Sequence, residues 1–398
     1  MEFISKRGIE LPPSPIRKLA PFADDAIKRK IEVLHLNIGQ PDILSPVESI
    51  QSLANYSEKL VKYSPSNGNL SLRESIATYF QKNNLQVDSS DIIVTNGGSE
   101  AIIMSFFAIT NSGDEIIIPE PFYSNYFSFA HITGVKIVPV TCTIETNFIL
   151  PEISEIEKKV SPKTKGILIC NPNNPTGVVY SKEQIEELIE IAIKRNIVIL
   201  ADEVYRDFIY DKLTHYSLLN WDTKEIQERV IIIDSFSKKF SLCGIRVGFL
   251  ITKNKAILQT CLRFAQARLS PPSIGQYMAE EALKTSNEYF IKVNNEYSER
   301  RDILMSEMSQ IENLKIGRPS GAFYALIGLP IKNAENFCEF LLKDFSLNNK
   351  TIMLAPAEGF YINKHLGKSQ VRIAYVLNKD KIIEASKILK EALKEYRE

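Results

Sequence analysis

The sequence has no surplus of charge of either sign: its 398 residues include 48 Lys plus Arg and 48 Asp plus Glu. Without a net basic field there is no long-range attraction for nucleic acid, and none is expected as a partner. Long apolar runs are also missing. No stretch approaches the roughly 18 residues that a membrane-crossing helix needs, and the opening segment MEFISKRGIELPPSP lacks the apolar core of a secretory signal. Cysteine is scarce and odd in number: Cys142, Cys170, Cys243, Cys261 and Cys338, none of them in a C-x-x-C pair. That usage argues against a disulfide framework or a zinc site and for free thiols in a reducing cytoplasm. The four histidines are scattered and form no H-E-x-x-H, so no metal site is expected. Neither an internal repeat nor a low-complexity linker interrupts the chain.

What is present suits a globular α/β protein. The length exceeds what one ordinary core accommodates, so two domains are expected. Short β-branched runs at 92–95, 116–119, 136–140, 166–170, 197–201, 230–234 and 247–251 read as strands. Most are apolar throughout, as in strands covered on both faces. Helical patterns lie between them. In the clearest, 182–195, Ser181 and Gln184 form an S-x-x-Q capping box, and Ile185, Leu188, Ile189, Ala192 and Ile193 recur at helical spacing. Alternating strands and helices predict a mostly parallel seven-stranded sheet covered by helices, over 41–285. The ends differ. Residues 1–40 are rich in Pro and charge. From 286 a long polar helix (287–311), strands at 322–326 and 370–376 and a closing helix at 379–396 follow. These predict a smaller α+β domain built from 1–40 and 286–398, with an N-terminal arm.

Four segments at strand ends carry chemistry. Ser235-Phe236-Ser237-Lys238-Lys239-Phe240-Ser241-Leu242-Cys243-Gly244-Ile245-Arg246 puts a lysine among hydroxyls and an arginine. A partly desolvated amine near positive charge suits imine chemistry, and Ser235 with Arg246 can grip a phosphate. The bland alternative is a surface turn with two lysines. Asn171-Pro172-Asn173-Asn174-Pro175-Thr176-Gly177 follows another strand, where parallel sheets bind ligands, and is otherwise only a good turn. Asp202-Glu203-Val204-Tyr205 offers a carboxylate able to pair with a protonated ring nitrogen, or simply a helix cap. Thr95-Asn96-Gly97-Gly98-Ser99-Glu100-Ala101 joins a strand to a helix over 100–110, where glycines and a helix N-terminus favour phosphate. Such Gly-Gly turns are also common without any ligand.

The pattern S-x-S-K-x-x-x-x-x-G-x-R resembles the cofactor-lysine signature of class I aminotransferases, the aspartate aminotransferase family. The resemblance runs from about Asn37 to Tyr375 and keeps the family's order of elements. It implies fold type I and pyridoxal 5'-phosphate, carried as an aldimine by Lys238 rather than Lys239. It also implies a phosphate held by Gly98, Ser99, Ser235 and Arg246, Asn174 and Tyr205 at the cofactor's 3-oxygen, and Asp202 at the pyridinium nitrogen. Pro119-Glu120-Pro121-Phe122-Tyr123 matches the turn whose aromatic stacks on the ring, giving Tyr123, with Phe122 the core-aromatic alternative. Leu36-Asn37-Ile38-Gly39-Gln40-Pro41-Asp42 matches the turn where Gly39 offers backbone to the substrate carboxylate. Tyr63 matches the tyrosine that reaches the neighbouring subunit's phosphate, and Arg372 the arginine that clamps the α-carboxylate together with Asn174. The family further implies a homodimer with shared active sites and cis bonds at Glu120–Pro121 and Asn174–Pro175.

The implied activity is ping-pong transfer of an amino group between an L-amino acid and a 2-oxo acid. Glutamate with 2-oxoglutarate is expected as one pair and aspartate or an aromatic amino acid as the other. A carbon–sulfur lyase on the same fold is the alternative, since it shares every cofactor contact. A non-enzymatic regulator fused to a DNA-binding domain is disfavoured, because only about 35 residues precede Gly39. Gly367-Lys368-Ser369 lacks the earlier glycine of a phosphate-binding P-loop. For a distal carboxylate, Arg17 and Arg268 (in Ala267-Arg268-Leu269-Ser270-Pro271-Pro272) are the candidate cations, each equally readable as a surface arginine.

Overall fold

The structure, a computed structural model, describes residues 3–11, 13–57 and 59–397. Its largest sheet has seven strands. Across it the order is Ile92–Thr95, Gly248–Ile251, Val230–Ser235, Val198–Asp202, Thr164–Cys170, Glu115–Glu120 and Lys136–Thr141. Gly248–Ile251 runs antiparallel to both neighbours, and the other pairings are parallel. The continuous apolar runs have a simple cause. Side chains alternate between faces, and both faces are covered. Ile116, Leu168, Leu200 and Ile231 enter one apolar layer. Ile117, Ile167, Ile199 and Ile232 enter the other. The edge strand Lys136–Thr141 is the most open to solvent.

Local signals account for the helices. Lys182–Arg195 begins at the expected capping box, with Gln184 N–H donating to Ser181 Oγ at 3.3 Å and Ser181 N–H to Gln184 Oε1 at 3.1 Å. It ends on Asn196 in the left-handed conformation. The helix after the glycine pair spans Gly98–Ile109, two residues earlier than expected, because Gly97 (φ 77°) makes the whole turn as its N-cap.

The chain ends meet in a smaller α+β part. Glu32–His35 pairs in parallel with Lys350–Met353. A four-stranded antiparallel sheet is ordered Ala355–Pro356, Gln370–Ala374, Tyr324–Gly328 and Lys315–Ile316. The expected strand at 322–326 starts late, because Ala322 takes φ 52° and cannot continue a ladder. Asn287–Met308 and Lys379–Glu395 cover this part. No helix among the described residues is long and apolar enough to cross a membrane.

The two antiparallel strands bring the 97–98 turn against Gly248, where an added Cβ would lie 2.6 Å from Gly97 C and 2.7 Å from Gly98 N. Backbone cannot yield as a side chain can. Gly248→Ala is expected to cost about 1–3 kcal/mol of stability, read as a lower thermal midpoint. Gly244→Ala, whose Cβ meets nothing within 4 Å, should leave the midpoint unchanged.

Candidate active site

A cleft of about 540 Å³ opens where the parallel strands end. The strand Val198–Asp202 delivers Asp202, whose carboxylate is buried. Tyr126 Oη donates to it at 2.5 Å and Val204 N–H at 3.4 Å. Burial pushes the Asp202 carboxyl up to about 6, against the opposing pull of the Tyr126 hydrogen bond. Three residues downstream of that strand end lies Tyr205, buried, its hydroxyl 2.9 Å from that of Tyr324.

Strand Val230–Ser235 passes into a short helical turn, Phe236–Lys239, capped by Ser235 Oγ accepting from Ser237 N–H at 3.1 Å. The turn separates its two lysines. Lys238 faces the cleft and donates to Gly39 O at 2.8 Å. Lys239 is buried on the other side, 2.9 Å from Asp234 and 3.5 Å from Asp207. Burial alone would lower the Lys239 ammonium, but these carboxylates outweigh it and hold it above the ordinary lysine range. Ser235 lines the cleft with its hydroxyl bonded to Val247 O and Ser237 Oγ. Ser237, passed over in the sequence, lines the cleft beside it.

The 97–98 turn and Arg246 meet at the opposite wall. Arg246 Nη2 donates to Asn96 O at 3.2 Å, and a Cβ on Gly97 would come within 2.5 Å of that nitrogen; the positive φ is what favours glycine there. Gly98 and Ser99 open the helix at this point and line the cleft. Among the described residues no carboxylate pairs with Arg246, which donates to backbone carbonyls.

Arg372 comes from the antiparallel strand Gln370–Ala374. Its guanidinium is buried, donating to Asn174 Oδ1 at 2.9 Å and Asn37 O at 2.5 Å. It lies between the rings of Tyr324 (4.6 Å) and Phe360 (5.1 Å). Its Nε has no partner, and burial lowers its pKa from the usual arginine value. No described carboxylate stands beside it.

The structure therefore brings Gly39, Gly98, Ser99, Tyr123, Asn174, Asp202, Tyr205, Ser235, Lys238, Arg246 and Arg372 to one cleft. Tyr123 takes a hydrogen bond from Asn125 Nδ2 at 2.8 Å. Phe122 is buried in the core instead. Tyr63 stands apart, 80% exposed. Arg17 lines the cleft, whereas Arg268 lies outside it, donating to Ser66 O and Val94 O and 3.4 Å from Glu100. One expectation needs correction: the cis bonds are Glu120–Pro121 and Asn171–Pro172, and Asn174–Pro175 is trans. The chain changes direction directly at the strand end, where Asn171 N–H still bonds Asp202 O, and residues 174–176 form a tight turn closed by Gly177 N–H on Asn173 O. Tyr126 and Tyr324 had no sequence signal, since only the folded sheet brings them to Asp202 and Tyr205.

Fold and cleft together define an α/β protein with a lysine at the C-terminal end of a buried strand. The family model for aminotransferase class I and II matches residues 31–389. The chain is 32% identical over 398 residues to an aspartate aminotransferase of Pyrococcus horikoshii, covering 98% of this chain and 97% of that one. It is also 32% identical to aromatic-amino-acid aminotransferase 2 of Thermococcus litoralis, covering 96% of each. Among solved structures, an aspartate aminotransferase of Thermotoga maritima superposes with a TM-score of 0.89 at 29% identity, over 98% of this chain and 100% of that one. An alanine aminotransferase of Pyrococcus furiosus superposes at 0.90 and 27%, over 99% and 100%. The chain belongs to the class I and II aminotransferase family and is an aminotransferase.

The Asp202 carboxyl titrates at about 6 in the fold against an ordinary 3.8. A folded pKa above the unfolded value means that ionisation penalises the fold. The favourable protonated state is complete below the lower value and lost as pH rises through the upper one. Asp202→Asn keeps an acceptor for Tyr126. In the ligand-free protein it should add up to about 3 kcal/mol at about pH 8, at about 1.4 kcal/mol per pH unit, with the gain fading as pH falls toward about 4. Urea unfolding across that range checks it.

Proposed function

We propose that the chain transfers an amino group between an L-amino acid and a 2-oxo acid in a ping-pong cycle, with pyridoxal 5'-phosphate as cofactor carried by Lys238. The observation that carries this reading is the buried, carboxylate-free Arg372 in one cleft with Lys238 and Asp202. The donor set fits the cofactor. The Gly97 cradle, the helix start at Gly98 and Ser99, Ser235 and Arg246 suit a phosphate. A buried carboxylate with no ion pair among the described residues suits a ring nitrogen that it keeps protonated, and Asn174 and Tyr205 suit a ring oxygen. Tyr123 suits a stacking face.

When bound, the cofactor supplies an electron sink for the carbon that bears the amino group. The chain's own residues do the rest. Arg372 holds the α-carboxylate through a planar fork, which fixes the α-hydrogen's direction better than a lysine ammonium would. Asp202 holds a positive charge in place once one is presented, which brings its carboxyl back down from about 6. Lys238 takes the α-proton and returns it as general base and acid. The part built from 1–40 and 286–398 closes over the 41–285 part and excludes water, as Arg372 and Asn37 come from the former and Asn174 from the latter.

We assign a dicarboxylate pair, glutamate with 2-oxoglutarate, to one half of the cycle. Arg17 lines the cleft with no ion pair among the described residues, whereas Arg268 is engaged elsewhere. Aspartate or an aromatic amino acid is the other donor, in keeping with the relatives' names. Those names favour transfer over carbon–sulfur lysis. The protein works as a homodimer, with exposed Tyr63 serving the partner subunit's phosphate.

Two expected outcomes test this. Lys238→Ala abolishes the visible absorbance band of the isolated protein. Lys239→Ala keeps the band while losing stability by about 3–5 kcal/mol, since it strips a buried pair. The reverse pattern overturns the assignment. Arg372→Ala lowers kcat/KM about 30- to several-thousand-fold for every amino acid, with cofactor affinity nearly unchanged. Arg17→Gln lowers it about 10- to 100-fold for dicarboxylic donors alone. Steady-state kinetics over a donor panel separates the two.

A further inference from the structure

Tyr324 touches three parts of the site at once, and no motif along the chain singles it out. Its hydroxyl is 2.9 Å from that of Tyr205, and both side chains are buried. Its ring carries the Arg372 guanidinium at 4.6 Å. It also packs against Gly39, where a Cβ would fall 1.7 Å from Tyr324 Oη, and the Gly39 carbonyl holds the Lys238 amine. The strand register explains the placement: Tyr324 pairs with Ala374, one same-face step from Arg372.

Each of the two phenols has one proton to give. In isolation either can donate to the other. An anionic ring oxygen in the cleft removes that freedom, because Tyr205 must then turn its proton to the anion. The oxygen of Tyr205 is left as an acceptor, and Tyr324 is the donor within reach. We propose that Tyr324 is a positioning residue that fixes the direction in which the Tyr205 hydroxyl donates and strengthens that donation. Hydrogen bonds in such a chain polarise one another, and a dry site enlarges the effect. The tight contact with Gly39 keeps Tyr324 in place, so the relay is held from both sides. The inference rests on the reading of the cleft as the cofactor site, with Tyr205 at the 3-oxygen.

The test is a double-mutant cycle read by pH titration of the visible band, with no turnover involved. Tyr324→Phe keeps the ring under Arg372 and removes only the relay hydroxyl. A weaker donor at the ring oxygen leaves its negative charge less stabilised, so the neighbouring proton is held more tightly. The midpoint of the titration should rise by about half a pH unit. In a Tyr205→Phe background the same substitution should move the midpoint by nothing measurable, because the link to the ring oxygen has gone. A parent protein with the band but no shift on Tyr324→Phe overturns the relay alone. An equal shift in both backgrounds overturns it as well, since Tyr324 would then act without Tyr205. A parent with no visible band overturns the cofactor reading, and the relay with it.

Discussion

The ion pairs of Lys239 with Asp234 and Asp207 lie beneath the sheet's ligand-binding end, and the site depends on them. Lys239 and Asp234 are buried and Asp207 is half-buried; the charges compensate one another, and a buried charge is tolerated only on those terms. By consuming one lysine of the pair, they anchor the turn Phe236–Lys239 so that the other faces the cleft. The same division repeats at the neighbouring strand end. Glu203 turns to the packed side, where Ser217 Oγ donates to it at 2.9 Å, while Asp202 faces the cleft. Successive residues of an extended chain point to opposite faces. At each strand end one polar residue is therefore satisfied inside the protein and its neighbour is presented to a ligand.

The cleft side shows the complementary imbalance. Among the described residues neither Asp202 nor Arg372 has an ion-pair partner, and Arg246 reaches only backbone carbonyls. Asp202 and Arg372 do not neutralise each other, because Arg372 is engaged by Asn174 and Asn37. On the proposed reading, each charge is kept for something that enters the cleft. Holding Arg372 this way takes both chain ends. Its strand pairs with Tyr324–Gly328, and Asn37 lies just past the strand Glu32–His35, which pairs with Lys350–Met353. The N-terminal segment thus helps to hold Arg372 in the cleft.

Much of the frame was legible in the residues. The seven apolar runs are strands because a sheet covered on both faces needs apolar side chains in both directions, and helix Lys182–Arg195 was written in its capping box. The cleft residues beside strand ends were legible for the same reason: polar residues that interrupt a buried strand need a purpose. The boundary of Tyr324–Gly328 was not, because it depends on a positive φ at Ala322. The choice between Asn171–Pro172 and Asn174–Pro175 depended on where the Asp202 carbonyl pins the loop.

The order of motifs along the chain determined the family and the α/β frame, because periodicity, caps and strand-end polar residues are local properties. Tertiary structure alone decided which distant groups complete each motif. Tyr126 reaches Asp202 across 76 positions, Tyr324 reaches Tyr205 across 119, and Arg372 reaches Asn37 across 335. Such contacts leave no spacing in the sequence. Hydrogen-bond geometry demands atoms within about 3 Å, and only the packing of sheet against chain ends brings those atoms that close.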